Sequence, residues 1–425
     1  MEHPESMMNR NRHTPTLLVA LAAAALMGVT MGSRSSFGLF VSPLNTTTGL
    51  GLVTISFAAA LNHLLWGVAQ PAAGLAAERF GVTRVIVVGC VSLAMVTALL
   101  PFARSATELV LVLSLLAVTG AAAGSNGILL SEVSRRVDAE HRGLAIGIVG
   151  AGGSVGQLVL GPITQGMISW AGWQAAMFAL AVLALLAAPL AWAFRRGSAV
   201  VAMPSPSTTG MPVRDALASP TFWLIALGFG VCGFHVSFLI SHMPGVIAAC
   251  GLPPSVSGWW IAVVGLCNVV GSLAAGSMIR RGSMRTALIV LYALRAIGVG
   301  LFLALPKTEW VVLGFAGWMG LTYMATLPPT AGLVGKLFGL RHMATLLGVV
   351  MLVHQLGAFL GVWLGGVAVT VTGHYDWIWY ADILLALVAV VLHLPIREAA
   401  SPDDTTPKGA TGAAPALASI RPVTA

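Results

Sequence analysis

Charge is what this chain has least of. Only 8% of its 425 residues are Asp, Glu, Lys or Arg, against roughly 25% in ordinary soluble domains. Acids are the scarcer sign, 14 against 22 basic residues. A water-soluble surface cannot be built from so few charges, so a soluble globular protein is excluded. Cysteine is scarce too: Cys90, Cys232, Cys250 and Cys267 all lie in or beside apolar runs without paired spacing, which predicts neither a disulfide framework nor a metal site. There is no Ser/His/Asp arrangement, no metal-ligand cluster and no Lys-bearing phosphate loop, so neither enzymatic chemistry nor a cofactor is expected. The GGSVG run has no strand before it and reads as helix packing.

What the chain has is apolar length. Hydrophobic residues make up 57% and glycine contributes 49 positions. Twelve runs of about 20 residues or more cover 17–43, 54–76, 85–103, 108–130, 144–168, 173–194, 222–247, 259–279, 286–305, 311–333, 343–371 and 377–395. The expected class is an all-α membrane protein of twelve transmembrane helices in two six-helix pseudo-symmetric halves. Outside the spans the basic residues segregate: Arg104 and Lys307 stand on one side, while Arg10, Arg79, Arg135, Arg214, Lys336, Arg397 and the other loop and tail cations fall on the side of the termini. By the positive-inside rule both termini are cytoplasmic. The net charge of +8 is then a topology signal and not a nucleic-acid footprint. Arginines before the first run imitate a secretory signal, but the run is too long for one.

The first sharp punctuation is GLAAERFGVTR at 74–84. Gly74 is expected to admit a neighbouring helix, Glu78 and Arg79 to close the span with opposite charges, Gly81 to turn, and Arg84 to open the next helix. Such a loop would clamp neighbouring helices through charge pairs in one conformation and release them in another. A second copy, AGSMIRRGSMRTAL, carries Gly276, Arg280, Arg281, Gly282 and Arg285 after the eighth run. A polar Ser, Thr, Pro and Gly stretch separates the copies. The chain therefore divides into a tail (1–14), a first bundle (15–196), a linker (197–219), a second bundle (220–397) and a tail (398–425) expected to be disordered. Internal repeats of spans are a signature of secondary transporters.

With these loops on the page, the chain resembles the major facilitator superfamily, whose loop signature is matched at Gly74, Glu78, Arg79 and Gly81, with Glu for the usual Asp. The second copy departs from it, with Arg280 where an acid is expected. Within the superfamily, SRSSFGLFVSPL, the seventh run and HQLGAFLGVWLGG are similar to the bacterial branch related to monocarboxylate transporters. That resemblance implies anion binding and proton coupling at Arg34. It also implies a second arginine with an acid in span eight, where this chain instead has Asn268. It further implies a cavity lined by spans one, four, seven and ten, with parts of two, five, eight and eleven, and with three, six, nine and twelve outside.

Arg34 lies on the order of 5 Å from the bilayer centre. A guanidinium there costs at least about 2.5–3.5 kcal/mol unless water, a partner or an anion receives it. The functional reading is a two-pronged anchor for a carboxylate; the bland one is an arginine tied to helix carbonyls. His63 and Gln70 share a helix face, and Asn126, Gln157, His235, Asn268, Tyr323, His354 and Gln355 complete a candidate polar lining, though each singly suits an interhelical hydrogen bond. His235 and His354 are the candidate proton carriers, because imidazole titrates near neutrality and no acid sits centrally in a cavity span. Arg295 in span nine is read as structural, pairing with Asp382 of span twelve. Span five is dense in glycine (Gly147, Gly150, Gly152, Gly153, Gly156, Gly161, Gly166), which suits close packing as well as gating.

These readings converge on a monomeric secondary transporter of a small organic anion, a monocarboxylate first among them, symported with protons by alternating access. Proton-driven efflux of amphipathic drugs is the alternative, disfavoured by the missing central acid. A non-transporting membrane sensor is a third.

Overall fold

The computed structural model describes residues 4–137, 139–195, 211–281, 283–339 and 341–398. Within these, the apolar runs are helices, the one regular structure that satisfies its own backbone without water or a neighbouring strand. They run α1 (Pro4–Ser35), α2 (Gly38–Thr48), α3 (Leu52–Phe80), α4 (Val82–Leu99), α5 (Ala106–Gly124), α6 (Asn126–Arg136), α7 (Ala139–Ala171) and α8 (Trp173–Ala187) in the first half. The second half has α9 (Val213–Ala218), α10 (Pro220–Ala249), α11 (Pro254–Arg281), α12 (Met284–Ala304), α13 (Glu309–Tyr323), α14 (Leu327–Phe338), α15 (Met343–Thr372) and α16 (Asp376–His393). Among the described residues, twelve stretches are long and apolar enough to cross a bilayer, with α5–α6 and α13–α14 each making one crossing.

Lipid tails are as apolar as leucine, so helices in a bilayer associate through close backbone approach and not through hydrophobic expulsion. The glycines supply that approach at equivalent places in the two halves. In the first, α1 lies on α7 with Gly28 against Gly152 and Gly156; in the second, α10 lies on α15 with Gly230 against Gly357, and Gly361 against the Phe234 carbonyl. At all of these except Gly28 and Gly230 a Cβ would strike the backbone of the facing helix.

The halves meet along three seams at the end of the bundle away from the termini. Gly38 of α2 touches the Ile240 and Ser241 carbonyls of α10, Gly366 of α15 touches Ser56 and Leu52 of α3, and Gly258 and Gly265 of α11 touch Pro162 and Ser154 of α7. Phe57 packs edge-on against Phe359 and Trp363 across the second seam. At the terminal end, Gly74, Gly127, Gly150 and Gly348 face open space. The contacts between the halves described above thus gather toward the far end.

Several expectations change. Span one is broken at Ser36–Phe37, where Phe37 N–H bonds Arg34 O and Leu39 N–H bonds Ser36 O in tighter three-residue turns. Spans four and ten are broken at the symmetry-related positions Ser125 and Met324–Thr326; apolar periodicity runs straight through such breaks. Gly74 admits no neighbouring helix in this conformation, and Glu78, Arg79 and Arg84 stand exposed, with Arg79 over its neighbour Phe80. Residues 4–14 of the expected tail continue the α1 helix, and 213–218 of the expected linker form α9. Glu398 is held by the Ser283 hydroxyl, the Arg285 N–H and Lys336. Residues 399–425, Gly282 and the side chains of Arg280 and Arg281 lie outside the described residues.

Candidate substrate site

Arg34 occupies the last turn of α1, where the carbonyl end of the helix dipole favours a cation. Its guanidinium lies 4.4 Å from the centroid of the Trp66 ring, a cation–π contact that offsets part of its desolvation. Gly120 of α5 makes this possible, because a side chain there would occupy the place of the Trp66 ring. One terminal nitrogen, Nη2, donates to His63 Nδ1 at 2.7 Å. The other, Nη1, is buried with no hydrogen-bond partner.

Accepting from a guanidinium requires a bare nitrogen, so His63 is neutral here with its proton on Nε2. The second half closes on this couple. Ser237 Oγ of α10 is 3.5 Å from His63 Nδ1, the Tyr323 phenol is within electrostatic range of Arg34, and His354 is within range of His63. Gln157 Nε2 donates to Ser35 Oγ at 2.8 Å, beside Arg34.

Arg34, His63 and Trp66 form one wall of an interior hollow of about 70 Å³, whose other walls include Phe40, Leu93, Leu100, Leu113, Met177 and Leu180. Leu93 and Leu100 belong to span three, Met177 and Leu180 to span six. The expectation put those spans outside the cavity lined by the others; here they wall a hollow that sits within the first half and is capped by Ile240 and Ser241 of α10.

The other candidates are dispersed. His235 is 2% exposed; its Nδ1 lies 2.5 Å from Asp382 Oδ2 and its Nε2 3.1 Å from Met319 Sδ, deep in the second half. Asp382 thus makes its ion-pair contact with His235 and not with Arg295 as expected, although Arg295 remains within electrostatic range of it. Arg295 directs Nη2 at the Thr322 and Tyr323 carbonyls, which are freed by the break in span ten. Asn268 donates to Ser154 Oγ and accepts from the Met324 N–H, tying α11 to α7 and α13. Gln355 is buried against Gly67 on the α3–α15 seam. His354 packs on Phe229 at 4.6 Å between ring centroids, and Asn126 is half-buried at the first turn of α6. Sequence reasoning did not single out Trp66, Ser237 or the break after Arg34; the i, i+3 spacing of His63 and Trp66 puts both on one helix face, the one signal available.

Comparison with known proteins agrees with this architecture. The family model of the Major Facilitator Superfamily matches residues 22–253 and 236–424. The chain belongs to that superfamily. It is therefore a multi-pass integral membrane transporter and not an enzyme. It is 24% identical over 379 residues to the uncharacterized MFS-type transporter YcxA of Bacillus subtilis (strain 168), covering 85% of this chain and 90% of that protein. It is 28% identical over 385 residues to monocarboxylate transporter 11 of Mus musculus, covering 84% and 82%. Among solved structures, a bacterial homolog of the human lysosomal transporter Spinster in its inward-facing, occupied conformation superposes with a TM-score of 0.68 at 16% identity, covering 88% of this chain and 95% of that one. The unoccupied form gives 0.65 at 17% identity, covering 89% and 94%.

Proposed function

We propose that this transporter carries a small monocarboxylate anion together with a proton, by rocking of the halves 15–196 and 220–397 about the Arg34 site. The observation that carries the reading is the unfilled bonding position on Arg34: a buried guanidinium with one terminal nitrogen engaged by a displaceable neutral histidine and the other without a partner. A carboxylate accepts from both terminal nitrogens at once, a geometry that lysine lacks.

Such an anion takes Nη2 from His63, leaving Nδ1 free to bind a proton. The empty site holds one positive charge. With anion and proton aboard, guanidinium, carboxylate and imidazolium again sum to one. Loaded and empty carriers then meet the same electrostatic cost on reorientation, while a carrier holding the anion alone does not. With the termini cytoplasmic, as the basic loops favour, the three glycine seams lie toward the outer face and form the outer gate.

The test is uptake of labelled acetate and butyrate by proteoliposomes holding Arg34→Gln or Arg34→Lys protein. Losing one or two charge-assisted bonds, about 1.5–3 kcal/mol each, should lower affinity by about tenfold for Lys and at least a hundredfold for Gln. Parental affinity in Arg34→Gln would refute the reading.

A further inference from the structure

The hollow beside Arg34 bears on which acid is carried. It lies directly against the guanidinium, so a carboxylate held there has its chain next to these walls. The walls are apolar beyond their residue types. Thr30 gives its hydroxyl hydrogen to carbonyls at Leu26, Met27 and Gly124, Thr97 gives its own to Leu93, and the Asn62 amide donates to Leu113 at 2.7 Å. What these groups present to the hollow is mostly methyl and methylene surface, alongside Phe40, Ala59 and Ala184.

Size then selects among apolar chains. An apolar cavity of about 150 Å³ accommodates benzene, or about 25 Å³ per carbon. On that scale, a hollow of about 70 Å³ takes about three carbons and excludes a ring.

We propose that this hollow is the tail pocket of the Arg34 site and that the cargo is a short-chain aliphatic monocarboxylate with about three carbons beyond its carboxyl group, a butyrate-like anion, in preference to a 2-hydroxy acid or an aryl acid. The inference rests on the carboxylate reading above and narrows it. Ser33 and Ser241 are the lining hydroxyls not committed to the backbone; a chain hydroxyl that does not reach one of them exchanges water for a wall whose Thr30, Thr97 and Asn62 donors already serve the backbone, and an unmet polar group in such a place is disfavoured. Each buried methylene gains about fourfold in affinity.

The experiment is ligand-induced thermal stabilisation of the purified full-length protein, titrated with acetate, propionate, butyrate, hexanoate, lactate and benzoate at fixed pH. The expected series tightens about fourfold per carbon from acetate to butyrate and stops tightening by hexanoate. Lactate should bind at least roughly fivefold more weakly than propionate, and benzoate more weakly than butyrate. Ala184→Leu, which fills the pocket, should flatten the series; the titration of the native protein decides even if that variant does not fold. A flat series, lactate tighter than propionate or benzoate tighter than butyrate overturns the tail pocket while the carboxylate reading stands, and a preference for lactate would assign its hydroxyl to Ser33 or Ser241. No stabilisation by any of the acids, with Arg34→Gln protein behaving like the parent, overturns both.

Discussion

Replacing His63 by glutamine separates the two duties given to that imidazole. A glutamine carbonyl accepts from Arg34 Nη2 much as Nδ1 does at 2.7 Å, so the arginine keeps its place over Trp66. What glutamine cannot do is bind a proton. The groups facing His63 are Arg34 on α1, Trp66 on its own helix, Ser237 on α10 and His354 on α15. None of these is an acid; His354 is the one among them that could itself bind a proton, and its ring lies on Phe229. In the native protein one proton accompanies each anion, and a gradient of one pH unit is worth about 1.4 kcal/mol, which supports tenfold accumulation. In His63→Gln the same gradient should support none, while exchange of labelled for unlabelled butyrate across vesicles at equal pH stays within about threefold of the parent. The assay is uptake into proteoliposomes with and without an imposed pH gradient, after subtraction of protein-free vesicles to remove diffusion of the neutral acid. Tenfold gradient-driven accumulation by the glutamine variant would refute the reasoning. His63→Leu provides the contrast, leaving Nη2 buried without an acceptor at a cost of about 1–3 kcal/mol, so it should melt at a lower temperature.

Asp382→Asn removes the charge facing His235 in a place where Asp382 is 0% exposed; the loss should be about 3–5 kcal/mol, read as a lowered melting temperature in detergent. Gly156→Ala drives a Cβ into the Gly28 backbone and should abolish recovery of folded protein, whereas Gly150→Ala, which meets open space, should be tolerated; size-exclusion profiles compare them. At Glu398 partial burial raises the carboxyl pKa, but the Arg285 N–H, the Ser283 hydroxyl and Lys336 outweigh it and the net shift is downward from 4.5. Its contribution is therefore present above about pH 4.5 and lost as pH falls through the lowered native value, so the melting-temperature gap between parent and Glu398→Gln should close in acid.

Helix number and the pairing of the halves were legible because apolar length and basic-loop bias are imposed by the bilayer on every span. Arg34 was legible for the same reason, since an intramembrane charge is costly enough to stand out from a single residue. Its partners were not. The choice between His63, His235 and His354 depends on which helix face meets which neighbour, and that depends on glycines such as Gly120, whose role is to be absent where the Trp66 ring lies. The breaks at Ser125 and Met324 were hidden because apolar residues continue across them. Asp382 was assigned to Arg295 because sequence depth alone does not show that His235 of α10 meets the carboxylate at short range.

The two halves share their scaffold and differ in how they treat their charge. Each has a glycine seam between its first and fifth spans, a broken fourth span and one arginine within the bilayer. In the second half the break in span ten supplies two carbonyls to Arg295 Nη2, Asp382 is near enough to interact with that charge, and the residue is 1% exposed. In the first half the freed carbonyl of the break in span four, Gly124 O, is taken by Thr30. Arg34 stands instead at the junction of the halves with a histidine for company. A cation supplied with carbonyls and a nearby acid stabilises one arrangement of helices. A cation supplied with a neutral, displaceable acceptor and an unfilled position favours whatever anion arrives. Arg295 also keeps Nε and Nη1 without a hydrogen-bond partner, but it is sealed at 1% exposure and lines no described hollow, whereas Arg34 lines one; what sets the first half apart is a space beside its open guanidinium position.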